Sequence, residues 1–292
     1  MVHNSYLIIT PAHNESAYIN HTIQSVIDQT VKPLKWIIVD DGSTDNTAEI
    51  IKNSALERDW LEYYYRHKPE NQAYFSSSVH AIMEGYQRIK HLDFKYLAIL
   101  DADITLPEDY YEKIFAMFEK DSQLGIASGI YENLIDGILC PVLNDRHSTP
   151  KAIQVFRREV FEQIGGFLPL KYGGEDTAAC VMARMRNWKV WSFPDIKVIH
   201  HRPTGIGNAK NILHAKYTGG LYEYGMGSHP LFVVIKSLKR ALLERPYIVG
   251  GLARLLGYIN GFLRREPRQL SDEVVKYFRK EQWNRIIKFN RL

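Results

Sequence analysis

"FKYLAILDADITLPEDYYEKIF", residues 94–115, runs from an apolar, aromatic-rich segment through two carboxylates to a proline and then a stretch with helical spacing. A short apolar run closed by turn residues reads as a buried strand, and Pro107 followed by Glu108 and Asp109 suits the first turn of a helix. Asp101 and Asp103 then stand at the carboxyl end of that strand. Such a pair has two readings. It is a surface turn that is acidic by composition, or it is a place for a divalent cation.

The same unit recurs upstream. "SYLIIT" (5–10) precedes a helical stretch at about 17–29, "KWIIVD" (35–40) one at about 46–58, and "LEYYYR" (61–66) one near 74–90; a fourth helix is expected near 107–119. Strands alternating with helices predict an α/β fold, a doubly wound, mostly parallel sheet covered on both faces. Ligands of such sheets sit beyond the carboxyl ends of the strands. "PAHNES" (11–16), "DDGSTDNT" (40–47) and "DAD" (101–103) all fall on that one rim. Capping and turn chemistry explains part of this, since Asp45 or Ser16 can cap a following helix and Gly42 suits a tight turn.

After about residue 125 the pattern loosens. "LGIASGIYE" (124–132) and "KAIQVFRR" (151–158) read as strands framing a long loop with Cys140 and Pro141, and "GGFLPLKYGGEDTAACVMARMRNW" (165–188) is glycine-rich, then helical. From about Gly207 the reading is helical nearly to the end. The expected organisation is a catalytic domain over 1–225, with a donor half at 1–124 and an acceptor half at 125–225, and a basic amphipathic helical extension over 226–292.

Among 292 residues the net charge is +4, but from Leu231 onward 14 Lys and Arg stand against 5 Asp and Glu, a net of +9 that leaves about −5 for residues 1–230. The basic character belongs to the tail. Two cysteines fit neither a metal spacing nor a disulfide framework, which suits a reducing compartment. No apolar run reaches the ~18 residues of a spanning helix, and the start lacks the pattern of a secretion signal. A cytoplasmic protein, peripheral at the inner face of the membrane, is the expectation.

Chemically, a D-x-D at a strand end suits Mg2+ or Mn2+, which take hard oxygen ligands and keep positions open for phosphate oxygens. Asp40, closing another strand, can accept from a base N–H, while the turn after it presents backbone amides. "PAHNE", "VDDGSTDNT" and "LDADITLP", in this order and spacing, resemble a family 2 glycosyltransferase of the GT-A type over roughly residues 5–225. The resemblance implies a nucleotide-diphosphate-sugar donor, a UDP-sugar first in line, a divalent cation, and inversion at the anomeric carbon. It implies that Pro11, Ala12, Glu15 and Asp40 cradle the nucleoside, that Asp101 faces the ribose, and that Asp103 binds the metal.

By the same resemblance Asp176, in "YGGEDTAA", is the base, with Glu175 as the alternative. A histidine of "VIHHRPTG" (198–205) completes the metal or diphosphate site, and Arg202 assists the leaving group. Strand alternation sends His200 and His201 to opposite faces, so at most one is a ligand, and His200 is preferred. "RHKPENQAY" (66–74) matches less well; Arg66 contacts base or diphosphate, or is a solvated surface residue, and the Gln72–Ala73 step leaves Asn71 without its usual context. Gln154 falls where acceptor-side polar residues are found.

In the tail, Leu252, Leu255, Leu256, Ile259, Phe262 and Leu263 form one helical stripe. Either it packs on the catalytic domain or a second copy, or it lies on anionic lipid, which suits a lipid-linked acceptor. Nucleic acid is not expected, for no recognition module accompanies the charge. A sugar-nucleotide pyrophosphorylase would carry a glycine-rich basic loop after the first strand, and a dehydrogenase G-x-G-x-x-G; "TPAHNES" is neither. The non-enzymatic alternative, a nucleotide-sugar-binding scaffold, predicts loss of Asp103, Asp176 or the histidine pair, and all are present.

Overall fold

The computed structural model describes residues 5–69, 74–142, 145–202 and 211–289. Asn71 and the Pro203–Gly205 turn lie outside them. The chain divides into two compact units. Unit 1 comprises residues 1–169 and 175–203; unit 2 comprises 170–174 and 204–292. The helix Ile212–Gly225 belongs to unit 2.

Unit 1 opens with the repeating strand–helix series: β1 (Tyr6–Ala12), α1 (Ile19–Ile27), β2 (Lys35–Asp40), α2 (Thr47–Ala55), β3 (Leu61–Tyr65), α3 (Tyr74–Ile89) and β4 (Tyr96–Ile99). It continues with β5 (Ile104–Thr105), α4 (Tyr110–Lys120), β6 (Leu124–Ile135), β7 (Ile138–Pro141), β8 (Val155–Arg157), α5 (Arg158–Gln163), α6 (Glu175–Met185) and β9 (Lys189–His200). The described strands form one sheet in the order β3-β2-β1-β4-β8-β6-β9-β5, with β7 paired to β6. Strands β1 to β4 are parallel, β8 runs antiparallel to its neighbours, and β9 is parallel to β6.

Parallel central strands are buried on both faces, which is why Leu7, Ile8, Ile9, Ile37, Ile38 and Val39 form continuous apolar runs. One face is filled by aromatic rings: Tyr6 lies 4.7 Å from Tyr111 and 4.9 Å from Phe115, and Tyr96 4.8 Å from Phe115 and Phe118. Each such side chain contributes roughly 1.5–3 kcal/mol by leaving water. The polar handles are satisfied, Trp36 Nε1 donating to Thr10 Oγ1 at 2.9 Å.

Two local features correct the sequence reading. The segment read as a loop around Cys140 and Pro141 is strand β7, a hairpin partner of β6 with Glu132 opposite Pro141. Pro141 is tolerated there because it ends an outer strand, where a missing N–H breaks no central ladder. The DAD loop does not lead straight into a helix; Ile104–Thr105 first pair antiparallel with His200 and Ile199. That bridge joins two motifs about a hundred residues apart. Gly129 permits the neighbouring irregularity of β6 against β9, since a Cβ there would lie 2.3 Å from the Ile196 carbonyl oxygen.

Unit 2 consists of α7 (Ile212–Gly225), α8 (Pro230–Leu243), α9 (Val249–Leu263) and α10 (Asp272–Phe289), with residues 170–174 held to it by Lys171–Glu266 (3.1 Å) and Tyr172 Oη donating to Glu266 (3.1 Å). Among the described residues no helix is long and apolar enough to cross a membrane.

Candidate active site

The carboxyl ends of β1 and β2 carry two loops that brace each other. Asn14 Oδ1 accepts from the Thr44 amide (2.8 Å), the Asn14 amide donates to Ser43 Oγ (3.0 Å), and the Glu15 amide to Thr47 Oγ1 (2.7 Å). Asp45 accepts from the amides of Ser16 (3.1 Å) and Thr47 (3.0 Å), and these bonds overcome desolvation to hold its carboxyl down at about 2. Pro11 and Ala12 lie within β1, Ala12 in register with Asp40. Asp40 is fully buried; its oxygens accept from the Ser43 amide (2.8 Å) and the Tyr63 hydroxyl (2.9 Å), which fixes the turn.

Arg66 is neither solvated nor aimed at open space. It is buried, paired with Asp41 and, at 3.1 Å, with Glu84. Asp41 also accepts from Ser77 Oγ.

The DAD loop is held by Thr22 of α1, whose buried hydroxyl donates to the Ala102 carbonyl (2.8 Å) and accepts from the Ile104 amide (3.1 Å). Around this loop the charged groups converge. Arg202 Nε meets Asp103 Oδ2 at 3.0 Å while its terminal nitrogen meets Glu15. His200 Nε2 lies 3.4 Å from the same Asp103 oxygen, and its Nδ1 lies 3.0 Å from Asn133 Oδ1. The amide oxygen of Asn133 only accepts, so Nδ1 carries the proton there.

His201 takes the opposite side, bonded to Thr105 Oγ1 (2.7 Å) and stacked on His21 at 5.0 Å. Burial pushes Glu15 up to about 7 despite Arg202, with the charges of Asp103 and Asp101 acting in the same direction as burial. Asp103 stays below the ordinary carboxylate range: desolvation opposes this, and His200 and Arg202 outweigh it.

A second cluster centres on a residue the sequence reading missed. Lys151 Nζ lies 3.3 Å from Asp101 Oδ1 and 3.9 Å from Glu175, and 3.3 Å from Ser78 Oγ. Its backbone lies beside Asp176. Burial pulls the Lys151 ammonium down, but Asp101 and Glu175 more than reverse this and hold it above its ordinary value. Desolvation, with Asp176 as a neighbour, raises Glu175 to about 7 in spite of Lys151.

Asp176, at the start of α6, accepts from the Thr177 amide at 2.6 Å, and burial raises its carboxyl above the usual range. It is half-buried, whereas Glu175 is buried beside Lys151. Gln154 does not reach the surface: it is fully buried, its amide nitrogen donating to Thr149 Oγ1 at 2.6 Å.

The structure therefore brings together Glu15, Asp101, Asp103, Glu175, Asp176, Lys151, His200 and Arg202, and leaves Asp40, Arg66, Gln154 and His201 outside these ion-pair clusters. Among the described residues no set of three or more His, Cys, Asp or Glu is placed to hold a cation alone. The donor set nevertheless fits one completed by a ligand. Asp103 and His200 offer one oxygen and one nitrogen, Asp101 Oδ1 is buried without an aligned hydrogen bond, and Mg2+-type ions commonly bind through one or two carboxylates plus phosphates.

A mostly parallel sheet with polar chemistry on one rim defines a GT-A type α/β glycosyltransferase fold. The profile described as glycosyl transferase family 2 matches residues 7–170, and the chain belongs to that family. The chain is 33% identical over 128 residues to 4,4'-diaponeurosporenoate glycosyltransferase of Staphylococcus aureus (strain bovine RF122 / ET3-1), a match covering 43% of this chain and 31% of that protein. It thus spans about a third of the length of such curated relatives.

In fold it is similar to the mannosyltransferase PcManGT from Pyrobaculum calidifontis, solved with GDP-Man and Mn2+ (TM-score 0.60, 15% identity, 89% of this chain and 88% of that one). It is also similar to S. aureus TarS 1-349 with UDP-GlcNAc (TM-score 0.56, 14% identity, 94% and 78%).

Proposed function

We propose that the chain is an inverting, metal-dependent glycosyltransferase that moves a sugar from a nucleotide-diphosphate donor to a hydroxyl of a glycan or lipid-linked acceptor in cell-surface polysaccharide synthesis. A UDP-sugar is the donor of first choice. One observation carries the reading: Lys151 ties the strand-end carboxylate Asp101 to the helix-start pair Glu175 and Asp176, so a donor held at the DAD loop has a carboxylate on its acceptor side.

Asp176 takes the proton of the attacking hydroxyl. Its raised pKa strengthens it as a base, and its partial exposure gives an acceptor access. Glu175, buried against Lys151, sets the charge beside it. Asp103 and His200 hold the divalent cation, Mn2+ or Mg2+, which supplies charge neutralisation to the departing diphosphate. Arg202, shared between Asp103 and Glu15, is positioned to transfer its donors to a phosphate oxygen. Ala12, Pro11 and Asp40 shape the nucleoside side of the cleft. Glu15 and Asp101 line it.

The test is release of nucleoside diphosphate from a panel of nucleotide sugars, with and without Mn2+ and candidate acceptors. Metal-dependent release that falls by about 10²–10⁴ in Asp176→Asn supports the reading, the range typical of losing a general base. Tight donor binding with no turnover on any acceptor would make the chain a binding protein.

A further inference from the structure

In unit 2 the contact between α7 and α9 is made by small residues, while large apolar side chains of α8 and α9 are turned outward. In α9 the face turned to α7 is lined by glycines: a Cβ on Gly257 would lie 2.0 Å from the Tyr217 carbonyl oxygen, and one on Gly220 of α7 2.0 Å from the Arg254 carbonyl oxygen. The backbones approach as closely as only glycine allows. The leucines have nowhere to go on that side. Leu252, Leu256, Ile259 and Phe262, spaced on one stripe, are 53%, 61%, 50% and 65% exposed. Helix α8 repeats the pattern, burying Val233 and Ser237 while Leu238 and Leu242 are turned to solvent, and the turn joining the two helices exposes Tyr247 and Ile248.

An apolar surface of this extent marks a contact site. The charge around it selects the partner. From residue 230 to 265 the one acidic residue is Glu244, and it is already paired with Lys216 and Arg240. Lys239, Arg245, Arg264 and Arg265 are exposed around the stripes. A second copy using the same face would set these cations against one another, because a two-fold contact repeats one patch on both sides. An anionic lipid surface supplies acyl chains for the leucines and phosphates for the cations.

We propose that the α8–α9 face docks on an anionic bilayer, lying in the headgroup plane with its apolar stripes inserted and Arg264 and Arg265 on lipid phosphates. The inference stands independently of glycosyl transfer, and its test needs no turnover. The full chain is sedimented with vesicles of phosphatidylcholine containing phosphatidylglycerol, and with phosphatidylcholine alone.

Binding is expected to the anionic vesicles, weakening as NaCl rises. The Leu252→Glu/Leu256→Glu double variant should lose at least tenfold in partitioning, and Arg264→Glu/Arg265→Glu about tenfold, both with unchanged circular dichroism and melting because the side chains are exposed. Binding that is indifferent to these variants would overturn the proposal, as would a wild-type chain that stays in the supernatant. A lipid-free dimer dissolved by Leu256→Glu would assign the face to a second copy and also overturn it.

Discussion

Unit 1 and unit 2 solve the packing problem in opposite senses. Unit 1 fills its interior with rings and branched chains and keeps charge at one rim, where the clusters around Lys151 and Arg202 hold acidic groups in partial burial. In unit 2, α9 sets glycines against α7 and turns leucines outward. The difference teaches that a helical stripe of apolar residues states a period but not a direction. Which side is inside is decided by the residues opposite the stripe.

The comparison is broken most severely at Lys151. Replacing it with methionine leaves the half-buried Asp101 and the buried Glu175 without their cation; loss of one partner of a fully buried pair costs about 3–5 kcal/mol, which sets the upper bound here. Urea denaturation should show this loss, and a second change, Asp101→Asn, should recover part of it. If Lys151→Met unfolds at the wild-type midpoint, the rim of unit 1 is not organised by this ammonium.

For unit 2 the corresponding test is Gly257→Val. A side chain there meets the Tyr217 backbone, so α7 and α9 must separate, with an expected cost of about 1–3 kcal/mol. Faster amide exchange in α7 and α9 relative to β1 and β2 is the expected signature.

A smaller effect separates the units by pH. Glu175 is raised to about 7 in the folded chain from an ordinary value of 4.5, so its contribution is fully present below pH 4.5 and is lost as pH rises to about 7. In that window the folded state binds the extra proton, and stability falls with pH. Glu175→Gln should flatten this slope in denaturation series at pH 5, 6 and 7. A slope unchanged by the substitution would assign it to other groups.

The smallest effect is expected at Leu256→Ser. In lipid-free buffer this exposed residue should change stability by no more than about 0.5 kcal/mol, whereas a buried leucine of unit 1 such as Leu97, changed to alanine, should cost about 2–5 kcal/mol. Thermal unfolding of the pair gives the contrast directly.

Much of this was legible in the residues. The strand–helix series from 5 to 120 could be read because each strand is an apolar run closed by turn chemistry, and the acidic rim followed from where those runs end. Strand β7 was not legible, since "ILCP" has too few residues and a proline, and only its pairing with β6 makes it a strand. Lys151 carries no local signal; a single lysine before "AIQVF" means nothing until β8 sets it beside Asp101.

Gln154 was placed by position in the chain and is buried by the fold. The direction of α9 did have a signal, the glycines at 250, 257 and 261 on the side opposite Leu252 and Leu256. Small residues at helical spacing mark a close backbone contact as surely as leucines mark an apolar surface.

Thr22 has a consequence for how the DAD loop can work. The two peptide units that bracket Asp103 are secured by a hydroxyl, a neutral group on another element, and not by the carboxylates themselves. Positive charge can therefore arrive at Asp103 and depart again while the surrounding backbone stays still, and a side-chain replacement at 101 or 103 should silence the loop without dissolving it.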